Sequence, residues 1–457
     1  MSFLLEKLAR LLDNPSIPWK SVLIGFSIGQ FALESYLSFR QYKCLCEKKR
    51  PKALEAEISQ EKFDQSQKYG RAKSRFGFVA GLYDRAQNIA FIYYDMFPKV
   101  WSIAGLVVSR YFPVMFSGEI GQSLVFVFIQ NIAGLVLNLP VSYYSTFVLE
   151  EEFGFNKQTV SLWVSDIFKS QLLTIVLGAP IVSGLLKIIK SSGPSFFYYV
   201  WLFCVFIQIA GITIYPVLIQ PLFNKLSPME PGPLKEGVEA LAAKLEFPLQ
   251  GLHVIDGSKR SSHSNAYFYG LPWKKHIVLY DTLIEKSEPE EVIAVLGHEL
   301  GHWKLNHTTK LMAISQFHIL FLFALFSAFM NNKSLYEAFG FHNERPILIG
   351  FALFGEALTP TDSFVSLGMN SLTRKFEYQA DAFASNLGYA NELASGLIKL
   401  QLQNLSGLIS DWMYSSYHHS HPILLERLTA LGWKGTNAAK KEETDEKPTA
   451  TSTDREL

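Results

Sequence analysis

Seven stretches of this chain are apolar over roughly the 20 residues a helix needs to cross hydrocarbon. They run at about 19–39, 85–108, 122–146, 171–187, 196–222, 311–330 and 346–368. Inside a bilayer no water satisfies backbone N–H and C=O groups, so such segments fold as helices that bond internally. The chain is therefore expected to be a mainly α integral membrane protein. Charged residues make up only 18% of the 457, against 49% hydrophobic, where a soluble domain carries about a quarter charged. Lys and Arg (42) nearly cancel Asp and Glu (41), so no global field draws in nucleic acid, and none is expected as a partner. The first apolar run follows Pro15 and Pro18, is too long for a signal peptide and lacks a small-residue cleavage site. It reads as an anchor. Cys44, Cys46 and Cys204 are too few for a disulfide framework and read as reduced thiols.

The spans carry Gln30, Glu34, Gln130, Asn131, Asn138, Gln208, Gln316, Glu356 and Asp362. Polar groups at that depth either hydrogen-bond between helices or face a water-filled interior, and so many together favour some hydration. Residues 40–75 are rich in Lys and Arg while 331–345 are not. This places the first loop in the cytosol, together with 223–306 and the segment after 372. Asn332-Lys333-Ser334 is a glycosylation sequon in the expected lumenal loop. Short apolar runs at 252–256, 265–270 and 276–280 read as strands of a soluble domain. The tail from about 435 is charged and Pro/Thr-rich and reads as disordered.

The stretch Val295-Leu-Gly-His-Glu-Leu-Gly-His-Trp303 carries the chemistry. His298 and His302 are four apart and share a helix face. That spacing lets two imidazoles hold one Zn²⁺ with Glu299 beside it. Ser287 and Glu290 fit a capping box for this helix, with Pro289 in its first turn. A catalytic zinc takes three protein ligands and leaves one position open. Glu377 and Asp381, again four apart, offer one carboxylate for the metal and one to accept a histidine N–H. Two spans separate 302 from 377, so the chain returns to the same side. His418, His419 and His421 cluster near a span end, where a structural role is equally open.

His-Glu-Leu-Gly-His-Trp, then Phe376-Glu-Tyr-Gln-Ala-Asp381, then His419-Ser-His-Pro422 with Glu426-Arg427, resemble the type I CAAX prenyl protease family. Glu151–Asn156, Pro216–Lys225 and Asn265-Ala266-Tyr267 match it as well, so the resemblance covers nearly the whole chain. It implies an integral-membrane zinc metalloendopeptidase that processes farnesylated CAAX proteins and is able to make a second upstream cut. The implied fold is seven transmembrane helices forming a barrel around a hydrated chamber, capped by a gluzincin-like α+β zinc protease domain. The expected organisation is helices one to five in 1–222, protease parts in 223–306 and 372–434, helices six and seven in 307–371, and a tail in 435–457. One zinc per chain would be held by His298, His302 and Glu377, with Asp381 behind them. Glu299 would be general base and acid, His421 the oxyanion donor supported by Arg427, and Asn265, Ala266 and Tyr267 a substrate-binding edge strand. His263 is expected to be non-catalytic, and Trp303 either lines the site or packs beneath it. Endoplasmic reticulum and inner nuclear membrane are the implied locations. The same zinc motifs fit an HtpX-like membrane quality-control protease. A transporter or scaffold with an incidental motif is the non-enzyme alternative.

Overall fold

The computed structural model describes residues 2–113 and 118–435; the tail expected to be disordered lies outside them. Helix α1 (Ser2–Leu12) precedes α2 (Trp19–Leu45), α3 (Gln60–Tyr93), α4 (Met96–Tyr111), α5 (Glu119–Tyr144), α6 (Val160–Ser191) and α7 (Phe196–Ile214). A mixed segment follows, built of β1 (Leu226–Pro228), α8 (Pro233–Lys244), β2 (Leu249–Ile255), β3 (Ala266–Leu271), β4 (Lys274–Tyr280), α9 (Asp281–Lys286) and α10 (Pro289–Lys304). The chain continues as α11 (His307–Phe329), α12 (Lys333–Ala338), α13 (Ile347–Ala384), α14 (Ala390–Gln403), α15 (Trp412–His418) and α16 (Leu424–Ala430).

Five helical stretches among the described residues are long and apolar enough to cross a membrane: Trp19–Leu45, Glu119–Glu150, Val160–Ser191, Gly193–Leu222 and His307–Phe329. Two other expected spans look different. The run at 85–108 is not one helix. Asp95 takes a left-handed conformation (φ 53°) that ends α3 and starts α4, and its carboxylate pairs with Lys20 of α2. The run at 346–368 lies within α13, whose 38 residues reach about 57 Å at 1.5 Å per residue. This helix outlasts any bilayer, so the division expected at 371/372 falls inside one continuous rod.

Several polar intramembrane groups pair between helices. Asn131 bonds Gln171, and Gln316 bonds Gln208. Asn88 Nδ2 donates to Glu356 Oε1 at 3.0 Å, and Asn138 Nδ2 donates to Gly134 O on its own helix at 3.0 Å. Others face a cavity, as shown below. The largest buried cluster, with Trp101, Phe326, Tyr336 and Phe354, gathers α4, α11, α12 and the start of α13. Within it Asn332 is buried and its Oδ1 caps α12 by accepting from Leu335 N at 2.8 Å. The side chain of the sequon asparagine is therefore buried in this fold.

The sheet runs β1-β2-β4-β3, with β2 and β4 parallel and the other pairs antiparallel. Inward-facing Leu252, Ile277 and Leu279 pack with Val292, Leu296 and Leu300 of α10, so alternating strand residues and one stripe of α10 share a core. The α10 cap lies one residue later than expected. Pro289 forces its predecessor into extended backbone, so Glu288 (φ −71°, ψ 150°) becomes N-cap and its N–H bonds Glu291 Oε2 at 3.0 Å.

Candidate metal centre and its surroundings

Helix α10 presents His298 and His302 on one face, and α13 crosses it carrying Glu377 and Asp381. One ligand atom from each of His298, His302 and Glu377 lies within 4.8 Å of the others. The two Nε2 atoms stand 3.2 Å apart. Glu377 Oε2 is 3.5 Å from the first and Oε1 is 3.2 Å from the second. His298 and Glu377 are buried at 5% and 4% exposure.

The far side of each ring is also held. His298 Nδ1 meets Asp381 Oδ1 at 2.8 Å. A carboxylate only accepts, so Nδ1 carries the proton and Nε2 faces the cluster. Arg427 fixes Asp381 in turn, donating from Nε to Oδ2 at 2.8 Å and from Nη2 to Oδ1 at 2.6 Å. Its Nη1 lies 3.7 Å from Glu377 Oε2. The guanidinium is thus engaged behind the rings, whereas the expectation placed it beside His421.

His302 is held by a residue that the sequence did not single out. Its Nδ1 lies 3.0 Å from Nδ1 of His307, whose Nε2 is 3.0 Å from Gln379 Oε1. The Gln379 carbonyl accepts, so His307 Nε2 donates and its Nδ1 accepts from His302. His302 Nε2 is then left as a lone pair facing the cluster. His307 is 1% exposed and stacks on Phe376 at 4.1 Å. Its spacing of five from His302 matches no helical face. Only the left-handed Asn306 (φ 58°), where the chain turns from α10 into α11, brings it back.

Two ring nitrogens and a carboxylate therefore converge with acceptor atoms, and Glu377 Oε2 receives no well-directed hydrogen bond. Buried acceptors facing one another are costly without a cation. This donor set fits a divalent metal of borderline softness such as zinc. The cluster already pulls protons in: burial works against a charge on His298, but Asp381 and Glu377 outweigh it and raise its pKa to about 9. Burial also favours a neutral Glu377, yet the three histidines around it hold it far below the usual carboxylate range. A metal must therefore displace the His298 proton at neutral pH. Apparent metal affinity should rise about tenfold per pH unit up to about pH 9 and flatten above it. Chelator competition across that range reads the slope, and a flat profile would remove this proton from the linkage.

Glu299 sits beside His298, His302, Glu377 and His421. Burial raises its pKa while the histidines pull it back. His421 Nδ1 approaches Glu377 Oε2 to 2.8 Å, and the ring is two-thirds exposed. It opens on a cavity of about 880 Å³ that runs along α2 and α3 and is lined by Glu34, Lys73, Asp84, Arg85, His263 and His421 among others. Trp303 packs edge-on against Phe247 in the core under the sheet, the second of the two expected places for it.

β3 forms the outer edge of the sheet. Asn265 is exposed, its carbonyl accepts from Tyr280 N at 3.1 Å, and its Oδ1 takes the Ala266 N–H at 2.8 Å. Tyr267 OH bonds Gln220 at 2.5 Å. Just before the strand, His263 stacks on Phe155 at 4.3 Å and its Nδ1 meets Asn404 Oδ1 at 3.0 Å. The stretch around Gly154, whose φ of 76° makes the turn, is thereby docked on the approach to β3.

Comparison with known proteins gives consistent matches. Residues 41–225 match the family model described as CAAX prenyl protease N-terminal, five membrane helices, and residues 228–433 match peptidase family M48. CAAX prenyl protease 1 of Saccharomyces cerevisiae is 46% identical over 443 residues, covering 93% of this chain and 98% of that protein. The human CAAX prenyl protease 1 homolog is 40% identical over 447 residues, covering 89% and 94%. The crystal structure of S. mikatae Ste24p superposes with a TM-score of 0.87 at 47% identity, covering 92% of this chain and all of that one.

Proposed function

The chain belongs to the CAAX prenyl proteases of peptidase family M48, and on that footing we propose how its residues remove the C-terminal tripeptide of farnesylated CAAX proteins. It is a multi-pass membrane metalloprotease. The observation that carries the proposal is the convergence of His298, His302 and Glu377, with both rings oriented from behind by Asp381 and His307. These three residues would hold one zinc. Bound there, zinc supplies a water acidic enough to ionise near neutrality and a positive charge for the scissile carbonyl.

Every other role falls to the chain itself. Glu299 takes the proton of the attacking water and returns it to the leaving amine. Its raised pKa suits both halves of that cycle. His421, exposed to the cavity, donates to the oxyanion. Arg427 keeps Asp381 ionised and aimed at His298, a positioning role. The edge of β3 takes the peptide as an added strand, with Asn265, Ala266 and Tyr267 supplying backbone bonds and an amide clamp.

In this reading α3 and α13, both longer than a bilayer is thick, join the five apolar helices to make a seven-helix barrel. The cavity below His421 is its hydrated interior, and a gluzincin-like cap spans 223–306 and 372–434. The same chamber would accommodate a second, upstream cut. The endoplasmic reticulum and inner nuclear membranes, with the active site facing the cytosol, accord with the basic first loop.

A pair of peptides, identical except for the farnesyl group, tests the substrate. The prenylated one should show at least tenfold higher kcat/KM. Burying even a few CH₂ groups at about 0.8 kcal/mol each is enough for that ratio. Equal rates would instead mark a broader quality-control protease.

A further inference from the structure

A second cavity lies back to back with the reaction cavity. It is an apolar groove of about 510 Å³ whose walls include Gly29 and Leu33 of α2, Phe364 and Leu367 of α13, and Trp412 and Met413 of α15. Helix α2 serves both spaces with different faces. Phe31, Ser35 and Ser38 face the reaction cavity, while Gly25, Gly29 and Leu33 face the groove. Helix α15 does the same, with Tyr414 and His418 on one side and Trp412 and Met413 on the other. One helix thickness, about 10 Å, therefore separates the groove from the reaction cavity.

We propose that this groove seats the isoprenoid of the substrate, which reaches it past the short helix α15. The inference rests on the reading of the chain as acting on prenylated C-termini. In that reading the lipid hangs from the residue next to the scissile bond, so it must lie close to the metal ligands. The reaction cavity itself is a poor host, because Glu34, Lys73, Asp84 and Arg85 line it and hydrocarbon there would strip water from charges. The groove has no charged lining residue. Its α2 wall from Gly25 to Leu37 runs about 18 Å, a slot for one extended chain. Gly25 and Gly29 leave its floor open, with no atom within 4 Å of where a Cβ would sit at either. Phe364 and Trp412 stand in it 75% and 69% exposed and offer large apolar surfaces to a hydrocarbon chain.

Helix α15 is tied at both ends and in its middle, where Ser415 is buried and accepts from Arg374 Nη1 at 3.5 Å. Arg40 donates to both Asp411 oxygens at 2.9 and 2.8 Å and lies over the Trp412 ring at 5.9 Å. At the other end Asn370 Nδ2 donates to Tyr417 O at 2.5 Å.

The test uses the full-length protein in phosphatidylcholine nanodiscs and a substrate peptide whose isoprenoid ends in a benzophenone. After irradiation, adducts should map to α13 around Phe364–Leu367 or to α15 around Trp412–Met413. Adducts on Phe31 or Phe78 of the reaction cavity, or on lipid alone, would overturn the proposal. Kinetics provide a second arm. Gly29→Phe fills the groove and should raise KM for the farnesylated peptide about tenfold while leaving kcat and the slow cleavage of the unprenylated peptide within twofold. Ser363→Leu, on the facing wall, should act likewise. An equal KM rise for both peptides, or none for either, would sink the assignment. Indifference of the wild type to farnesyl would sink the substrate reading instead.

Discussion

Glu299→Gln should lower kcat by on the order of 10³-fold or more, a barrier increase of about 4 kcal/mol, while the protein still binds one zinc per chain. The amide matches the carboxylate in shape and still accepts a hydrogen bond, so the ring geometry around it has no reason to change. What it lacks is basicity. Burial keeps the native group closer to neutral pH than an ordinary carboxylate, and an amide cannot hold the water proton at all. Metal analysis and single-turnover cleavage of a farnesylated peptide, run on the same preparation, decide the matter. Turnover within tenfold of wild type would take Glu299 out of the proton-transfer role. Loss of zinc along with activity would make it a structural residue instead.

Glu377→Ala should abolish activity by a different route, with metal content falling from one per chain towards zero. The carboxylate is the one anionic ligand atom set facing His298 and His302, at 3.5 and 3.2 Å. Its loss leaves two imidazoles, too few for a catalytic zinc site. Arg427 keeps both of its hydrogen bonds to Asp381 and His421 is two-thirds exposed, so no buried charge is left unpaired. The variant should therefore melt close to wild type stripped of metal. Added zinc in excess should restore little. Full metal occupancy in Glu377→Ala would show that Asp381, not Glu377, completes the centre.

Parts of this site were legible in the sequence because they are local or forced by topology. His298 and His302 share a face whatever the tertiary fold does, and the two spans expected between 302 and 377 put Glu377 on their side. What could not be read was decided by chain reversals and by helices that ignore the membrane boundary. His307 reaches His302 only because Asn306 turns left-handed. The α10 cap moved by one residue because Pro289 dictates the conformation of Glu288, a stronger constraint than the Ser287 pattern. The split at Asp95 is invisible to an average over apolar residues. The resemblance implied Arg427 in support of His421, and its hold on Asp381 behind His298 comes only from where α16 places it.

The rod of α13 has a consequence for how the enzyme can be taken apart. In the proposed seven-helix reading, Glu377 and Asp381 ride on a helix whose first half lies in the bilayer, and the two histidines precede another helix that crosses it. Cutting the chain at the water boundary would part the acids from the imidazoles. No water-soluble fragment can carry the whole catalytic apparatus, so metal occupancy doubles as a readout that the last two helices are correctly threaded through the lipid.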